Sequence, residues 1–196
     1  MKVILFDSDG VINLPGEFFS QIYAKSHGLD PEPFEEFFKG PYAKVNVGQT
    51  DLRELLIEYK DLWQSEDPDA IMKFWFESEN IKNEPLLELI QQIRASGIKC
   101  YFATNQSKYR GEYMKQVMFP GLFDGSFVSA DLGVQKPDLG FYEKVIELLR
   151  REVPNLKPEE IMFFDDTQEN VDAAKSLGID AHFYEGIDQI KSLVKV

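Results

Sequence analysis

The chain has 196 residues, 43% of them hydrophobic and 28% charged, enough for one good core or one core plus a small inserted unit. Its 34 acids against 21 bases give a net charge of −13, a surface that repels nucleic acid, and no Lys/Arg cluster with interleaved aromatics opposes that. A single cysteine excludes an internal disulfide, no apolar run approaches the length of a membrane helix, and Met1-Lys2 leads straight into an apolar strand rather than a signal peptide, so the expected setting is cytoplasmic.

The run Val3-Ile4-Leu5-Phe6 is continuously apolar, as expected of a strand covered on both faces in a parallel sheet. It ends in Asp7-Ser8-Asp9-Gly10, with two carboxylates two residues apart and a glycine that permits a sharp turn. From Pro15 to about Asn80 no strand is evident. Aromatic and aliphatic residues recur there at helical spacing: Phe34, Phe37 and Phe38; Leu52, Leu55, Leu56 and Tyr59 after Thr50; Ile71, Phe74 and Trp75 after Pro68. This stretch reads as a helical insertion of some four helices whose aromatics form its own small core.

From about Ile81 helix and strand alternate. Asn83 and Pro85 open a helix with the stripe Leu86, Leu87, Ile90 and Ile93, stopped at Gly97. The strand Ile98–Ala103 ends at Thr104-Asn105, and a short strand at Phe127-Val128 precedes a helix over about 140–150. Ile161-Met162-Phe163-Phe164 ends at Asp165-Asp166, a helix covers 170–177, and Ala181-His182-Phe183 closes the sheet. Alternating elements of this kind specify an α/β parallel sheet with right-handed crossovers. The division expected is a Rossmann-like core of residues 1–13 and 81–196, interrupted by a helical cap at 14–80. Cys100 is expected to be a buried hydrophobe, and His27 and His182 to be structural.

Parallel strands put all their carboxyl ends on one edge, where open α/β sheets bind ligands. Asp7, Asp9, Thr104, Asn105, Asp165 and Asp166 therefore converge, and Lys136 sits in a loop able to reach them. Singly, each has an ordinary structural explanation: a strand-ending turn, a helix N-cap, a solvated loop lysine, an acid at a helix N-terminus. Collected on one edge, they point to a site. Two unit charges 4 Å apart repel by about 4 kcal/mol at an effective dielectric near 20, so such an acid cluster requires cations. Mg²⁺ is the simplest hard ion for oxygen ligands, and the lack of a Cys/His cluster argues against zinc.

These four motifs, Asp7-Ser8-Asp9-Gly10, Thr104-Asn105, Lys136-Pro137 and Asp165-Asp166, resemble in order those of the haloacid dehalogenase superfamily of hydrolases. The insertion resembles the helical cap of its first subfamily. The stretches 135–142 and 163–170 are most similar to its sugar-phosphatase branch, which includes the phosphatase domain of soluble epoxide hydrolase. The resemblance implies an Mg²⁺-dependent phosphatase of small phosphorylated metabolites, sugar phosphates foremost, working through an aspartyl-phosphate. It implies Asp7 as nucleophile and metal ligand, Asp9 as acid and base with its backbone carbonyl on the metal, Asp166 as a ligand, and Asp165 as a direct or water-mediated one. Thr104 and Asn105 would bind phosphoryl oxygens, Lys136 would neutralise charge and hold Asp7, Asn170 would brace the loop, and the flap Ile12-Asn13-Leu14 would couple cap motion to exclusion of water.

The superfamily also holds dehalogenases and phosphonatases, which Asp9 disfavours. A phosphosugar mutase of the beta-phosphoglucomutase type shares all four motifs and is the alternative; an idle binding scaffold is disfavoured because no motif position is lost. Specificity is expected to rest on Phe18, Phe19, Tyr23, Tyr42, Lys44 and Asn46 near the cap entrance, with a small phosphorylated metabolite as partner, no nucleic acid or membrane, and the chain a monomer or homodimer.

Overall fold

A computed structural model describes residues 1–194. Five parallel strands, β1 (Val3–Phe6), β2 (Lys99–Thr104), β3 (Gly125–Val128), β4 (Ile161–Asp165) and β5 (Asp180–Phe183), form one sheet in the order β3-β2-β1-β4-β5. β1 is central and pairs from Val3 with both Lys99 and Ile161, which makes the strand tips level. The chain winds outward from β1 to β3, then returns to lay β4 on the other side of β1. The crevice of such a sheet lies where that direction reverses, between the ends of β1 and β4.

The continuous apolar runs follow from burial on both faces. Alternate residues Ile4 and Phe6, Cys100 and Phe102, Met162 and Phe164 pack against α7 (Glu84–Ala95), while Val3 and Leu5, Tyr101 and Ala103, Ile161 and Phe163 pack against α10 (Leu139–Glu152) and α11 (Gln168–Ser176). Burying each of the aliphatic and phenyl side chains among them contributes about 1.5–3 kcal/mol. The remaining core helices are α8 (Lys108–Tyr113), which runs into a π-helical turn at Met114–Met118, the short α9 (Ser129–Leu132), and α12 (Ile187–Val194). Cys100 is buried as expected, and burial pushes its thiol up to about 12. His27 stacks on Tyr23, and His182 stacks on Phe164.

Between β1 and α7 the chain forms six helices rather than some four: α1 (Phe19–His27), α2 (Glu32–Lys39), α3 (Ala43–Asn46), α4 (Leu52–Glu58), α5 (Lys60–Trp63) and α6 (Pro68–Ser78). The excess comes from breaks the apolar spacing does not register. The chain departs from α-geometry at Tyr59 between α4 and α5, and Gln64 (φ 49°) ends α5 in the left-handed region. The start of α4 is capped by Asp51, one residue past the Thr50 that marks it in the sequence, and its carboxylate accepts from Arg53 and Glu54 N–H. The helices enclose their own apolar cluster around Trp63, with Phe19, Phe34 and Phe37 in ring contact range of it and Trp75 stacked on Phe19. Asn83 sits at the start of α7 but does not cap it; its Nδ2 donates to the Val11 carbonyl and the Tyr184 hydroxyl. Among the described residues no helix is long and apolar enough to cross a membrane.

Candidate active site

The residue after β1 is Asp7, fixed by its N–H donating to the Phe164 carbonyl of β4 at 2.8 Å. The Ser8 carbonyl then accepts from Val11, Ile12 and Asn13 N–H, folding residues 8–13 into a tight turn. Gly10 lies at φ +90° in this turn, against the Asp166 carboxylate that follows β4; a Cβ there would overlap a carboxylate oxygen of Asp166. Gly10→Ala is thus expected to cost about 1–3 kcal/mol of stability and to displace Asp166. Urea unfolding checks it; an unchanged unfolding midpoint would contradict this packing.

Lys136 enters the cluster from the loop between α9 and α10 and is almost wholly buried. Its Nζ donates to Asp7 Oδ1 (2.7 Å), Asp165 Oδ2 (2.7 Å) and the Ala103 carbonyl (2.9 Å), which uses all three of its protons. Burial would pull the ammonium down, but the two carboxylates outweigh it and hold its pKa raised. Burial is also the largest influence on Asp7, whose carboxyl is pushed up to about 7 against the lowering effect of Lys136. Asp166, more open to solvent, is raised by partial burial and by the neighbouring Asp165. Oxygens of Asp7, Asp165 and Asp166 lie within 4.8 Å of one another. Three carboxylates thus face one ammonium, and an all-oxygen donor set of that charge fits a hard divalent cation such as Mg²⁺.

Within this set Asp165 is the most committed. Its Oδ1 accepts from Thr167 N–H and Asn170 Nδ2, its Oδ2 from Lys136 and again Asn170, at 2.7 to 3.1 Å. A carboxylate offers about four lone-pair positions, so little of Asp165 is left for a metal. Asn105 is similarly occupied: its carboxamide pairs with both the N–H and the carbonyl of Lys136, each at 2.9 Å. Its side chain thereby sets the Lys136 loop. Thr104 ends β2 and is buried at the sheet edge beside it.

Asp9 stands apart from the three-carboxylate group. Its carboxylate accepts from Asn13 Nδ2 (2.7 Å), Gln106 Nε2 (2.8 Å) and Arg110 Nη2 (3.4 Å). Arg110, fully buried, also meets Glu79 at 2.8 Å and lies near the faces of Trp75 and Phe76. Glu79 in turn accepts from Phe19 N–H and Trp75 Nε1, and burial raises its pKa. Asn13 Oδ1 accepts from Ile81 N–H. Asp9 is therefore tied through Asn13 and Arg110 to both ends of the helical insertion.

A cavity of about 400 Å³ opens between the insertion and the sheet edge, reaching Asp9, Asn105 and Gln106 on its core side. Of the residues expected near the entrance, Phe18, Phe19 and Tyr42 line it; Tyr23, Lys44 and Asn46 do not. Tyr23 is turned into the insertion's own cluster and donates its hydroxyl to the Trp63 carbonyl. Phe38 and Trp75, read in the sequence as core aromatics of the insertion, line the cavity. Glu79 and Gln106 line it without having been singled out, and neither was Arg110 behind them. Nothing local marks them: an arginine and a glutamate in helical segments look like solvated charges until the fold buries them.

A family profile described as haloacid dehalogenase-like hydrolase matches residues 1–178. A sesquiterpene phosphatase of Aspergillus oryzae is 33% identical over 95 residues, 48% of this chain and 46% of its own length, so the chain matches under half of that relative. A phosphorylated carbohydrates phosphatase of Thermotoga maritima is 27% identical over 92% of this chain and 83% of its own. Among solved structures, a HAD family enzyme of Bacteroides thetaiotaomicron superposes with a TM-score of 0.81 at 18% identity, covering 98% of each chain. At that identity the likeness concerns the fold. The same enzyme has been solved in complex with magnesium and inorganic phosphate.

Proposed function

As this chain belongs to the haloacid dehalogenase-like hydrolase family, we propose that it is an Mg²⁺-dependent phosphatase of small phosphorylated metabolites, working through an aspartyl-phosphate on Asp7. The observation that carries this reading is the pairing of the Asp7–Lys136–Asp165 cluster with a separately held Asp9. Two carboxylates of one short turn have different surroundings and can take different roles.

In the first step a carboxylate oxygen of Asp7 attacks phosphorus, the ester P–O bond breaks, and its electron pair leaves on the alcohol oxygen. Asp9 gives that oxygen a proton. In the second, Asp9 takes a proton from water, the water oxygen attacks phosphorus, and the bond to Asp7 breaks to release phosphate. Asn13, Gln106 and Arg110 orient the Asp9 carboxylate for both transfers. Lys136 holds Asp7, and Thr104 with the backbone after it offers donors to the phosphoryl oxygens. Asp7, Asp166 and the Asp9 carbonyl would hold the metal, with Asp165 acting on it only through water, since its oxygens are already spent on Lys136, Asn170 and Thr167. When bound, the cation offsets negative charge on the cluster and on the transferring phosphoryl group. The segment 14–80 serves as a cap that selects the alcohol.

Relatives offer two kinds of alcohol, a carbohydrate and a sesquiterpene. Purified protein with Mg²⁺ should release phosphate from phosphate monoesters. EDTA should abolish this release, and added Mg²⁺ should restore it. Full activity in EDTA would remove the metal from the mechanism, and isomerisation of a hexose 1-phosphate without phosphate release would mark a mutase.

A further inference from the structure

Resting on that phosphatase reading, we infer that the substrate is the phosphate monoester of an apolar alcohol, aromatic or aliphatic, with at most one or two further hydroxyls, rather than a sugar phosphate. The cavity over the active site decides this by what its polar groups are already doing. Its walls are the rings of Phe18, Phe19, Phe38, Tyr42 and Trp75. At its floor Gln106 Nε2 is spent on Asp9, and the Asn105 carboxamide on the backbone of Lys136. Glu79 accepts from Phe19 N–H and Trp75 Nε1 and is paired with the buried Arg110. At the mouth Glu35 and Lys39 face each other at 3.4 Å. What remains uncommitted is the hydroxyls of the buried Ser20 and Tyr42, the Gln106 carboxamide oxygen and, on the exposed side, the Gln21 carboxamide.

A sugar carries a hydroxyl on nearly every carbon, and each one moved from water to a ring-lined wall without a partner is a cost. An enzyme that reads polyols needs a full set of uncommitted donors and acceptors, and this cavity has used most of its buried ones to hold Asp9 and Lys136. An apolar alcohol meets no such cost and gains from each buried carbon. Phe18 adds a second, independent observation. It is 64% exposed at the start of α1, on the cavity lip, where a large ring gains nothing from solvent but extends the apolar wall outward. The volume of about 400 Å³ lies within the usual range of roughly 300–1,000 Å³ for small-molecule sites.

Phosphate release with Mg²⁺ would be measured for acetyl phosphate, a homologous series of n-alkyl phosphates from ethyl to octyl, 2-phenylethyl phosphate, glycerol 3-phosphate and glucose 6-phosphate. The inference predicts that kcat/KM rises by about fourfold per methylene until the cavity is filled. Octyl and phenylethyl phosphate should exceed glucose 6-phosphate by about 10²-fold or more. Phe18→Ser and, separately, Phe38→Ser should lower the ratio of octyl to acetyl phosphate kcat/KM by about threefold to tenfold, and Phe18→Ser, being at an exposed position, should leave the fold unchanged by circular dichroism. If acetyl phosphate is turned over but the polyol esters lead, or the ratio is unmoved in both variants, the substrate class is wrong and the phosphatase reading stands. If no ester including acetyl phosphate releases phosphate, the phosphatase reading itself fails.

Discussion

Asp7→Asn is expected to lower phosphate release by on the order of 10⁴–10⁶-fold, the loss typical of removing a covalent nucleophile, while the protein stays folded. The chemical reason is that the amide cannot displace the alcohol from phosphorus, and the cluster loses one of the three acids that converge on it. The structural reason for survival of the fold lies at Lys136. Without the Asp7 charge, Nζ still donates to Asp165 Oδ2 and to the Ala103 carbonyl, so the buried ammonium keeps a counter-ion. Asp7 is moreover a carboxylate that burial pushes up to about 7, so replacing it with a neutral isostere removes a desolvation cost. Steady-state phosphate release and thermal unfolding measured on the same preparation check both halves. A variant with activity within tenfold of the parent would contradict the assignment of Asp7.

Asp9→Asn is expected to lose about 10²–10⁴-fold, the range for general acid–base help. The amide keeps the shape and can still accept from Asn13, Gln106 or Arg110, so the turn from Ser8 to Asn13 should hold. The loss should depend on the leaving group. An alkyl phosphate needs a proton on its departing oxygen, whereas p-nitrophenol leaves without one, so the p-nitrophenyl ester should suffer less. Equal losses for both esters would contradict proton donation by this residue.

The sheet and its edge were legible in the chain because the strands are covered on both faces, which leaves uninterrupted apolar runs, each followed by polar residues at its carboxyl end. Val3–Phe6 and Ile161–Phe164 are such runs, and Asp7 and Asp165 stand at their tips as expected. Parallel pairing then brings together residues far apart in sequence, and Lys136 spans them at 2.7 Å to each. The insertion was less legible. Apolar spacing locates helical faces but not short breaks: the stripe from Leu52 runs on to Tyr59, where α4 has already ended, and it does not mark the separate turn of α5.

Partnerships were less legible still. Asn105 looked like a ligand for phosphate, and its carboxamide instead clasps the Lys136 backbone. Tyr23 looked like an entrance residue and is anchored inward by the Trp63 carbonyl. Arg110 and Glu79 had no sequence mark at all, because their meaning arises only when α6, α8 and the Asp9 turn meet. Which group bonds which is a tertiary fact, and it is the level at which the cavity's chemistry is set.

The central claim, that Asp7 carries the phosphoryl group and Asp9 moves the protons, is tested most directly by trapping the covalent species. Asp9→Asn protein with Mg²⁺ would be mixed rapidly with p-nitrophenyl phosphate, quenched in acid within the first turnover and digested for mass spectrometry. Formation of the phosphoenzyme needs no proton donor with this leaving group, but its hydrolysis needs a base to activate water. Phosphoryl mass should therefore accumulate on Asp7 in the Asp9→Asn variant. Phosphoryl mass on any other residue, or none on Asp7 while p-nitrophenol is released in a burst, would contradict it.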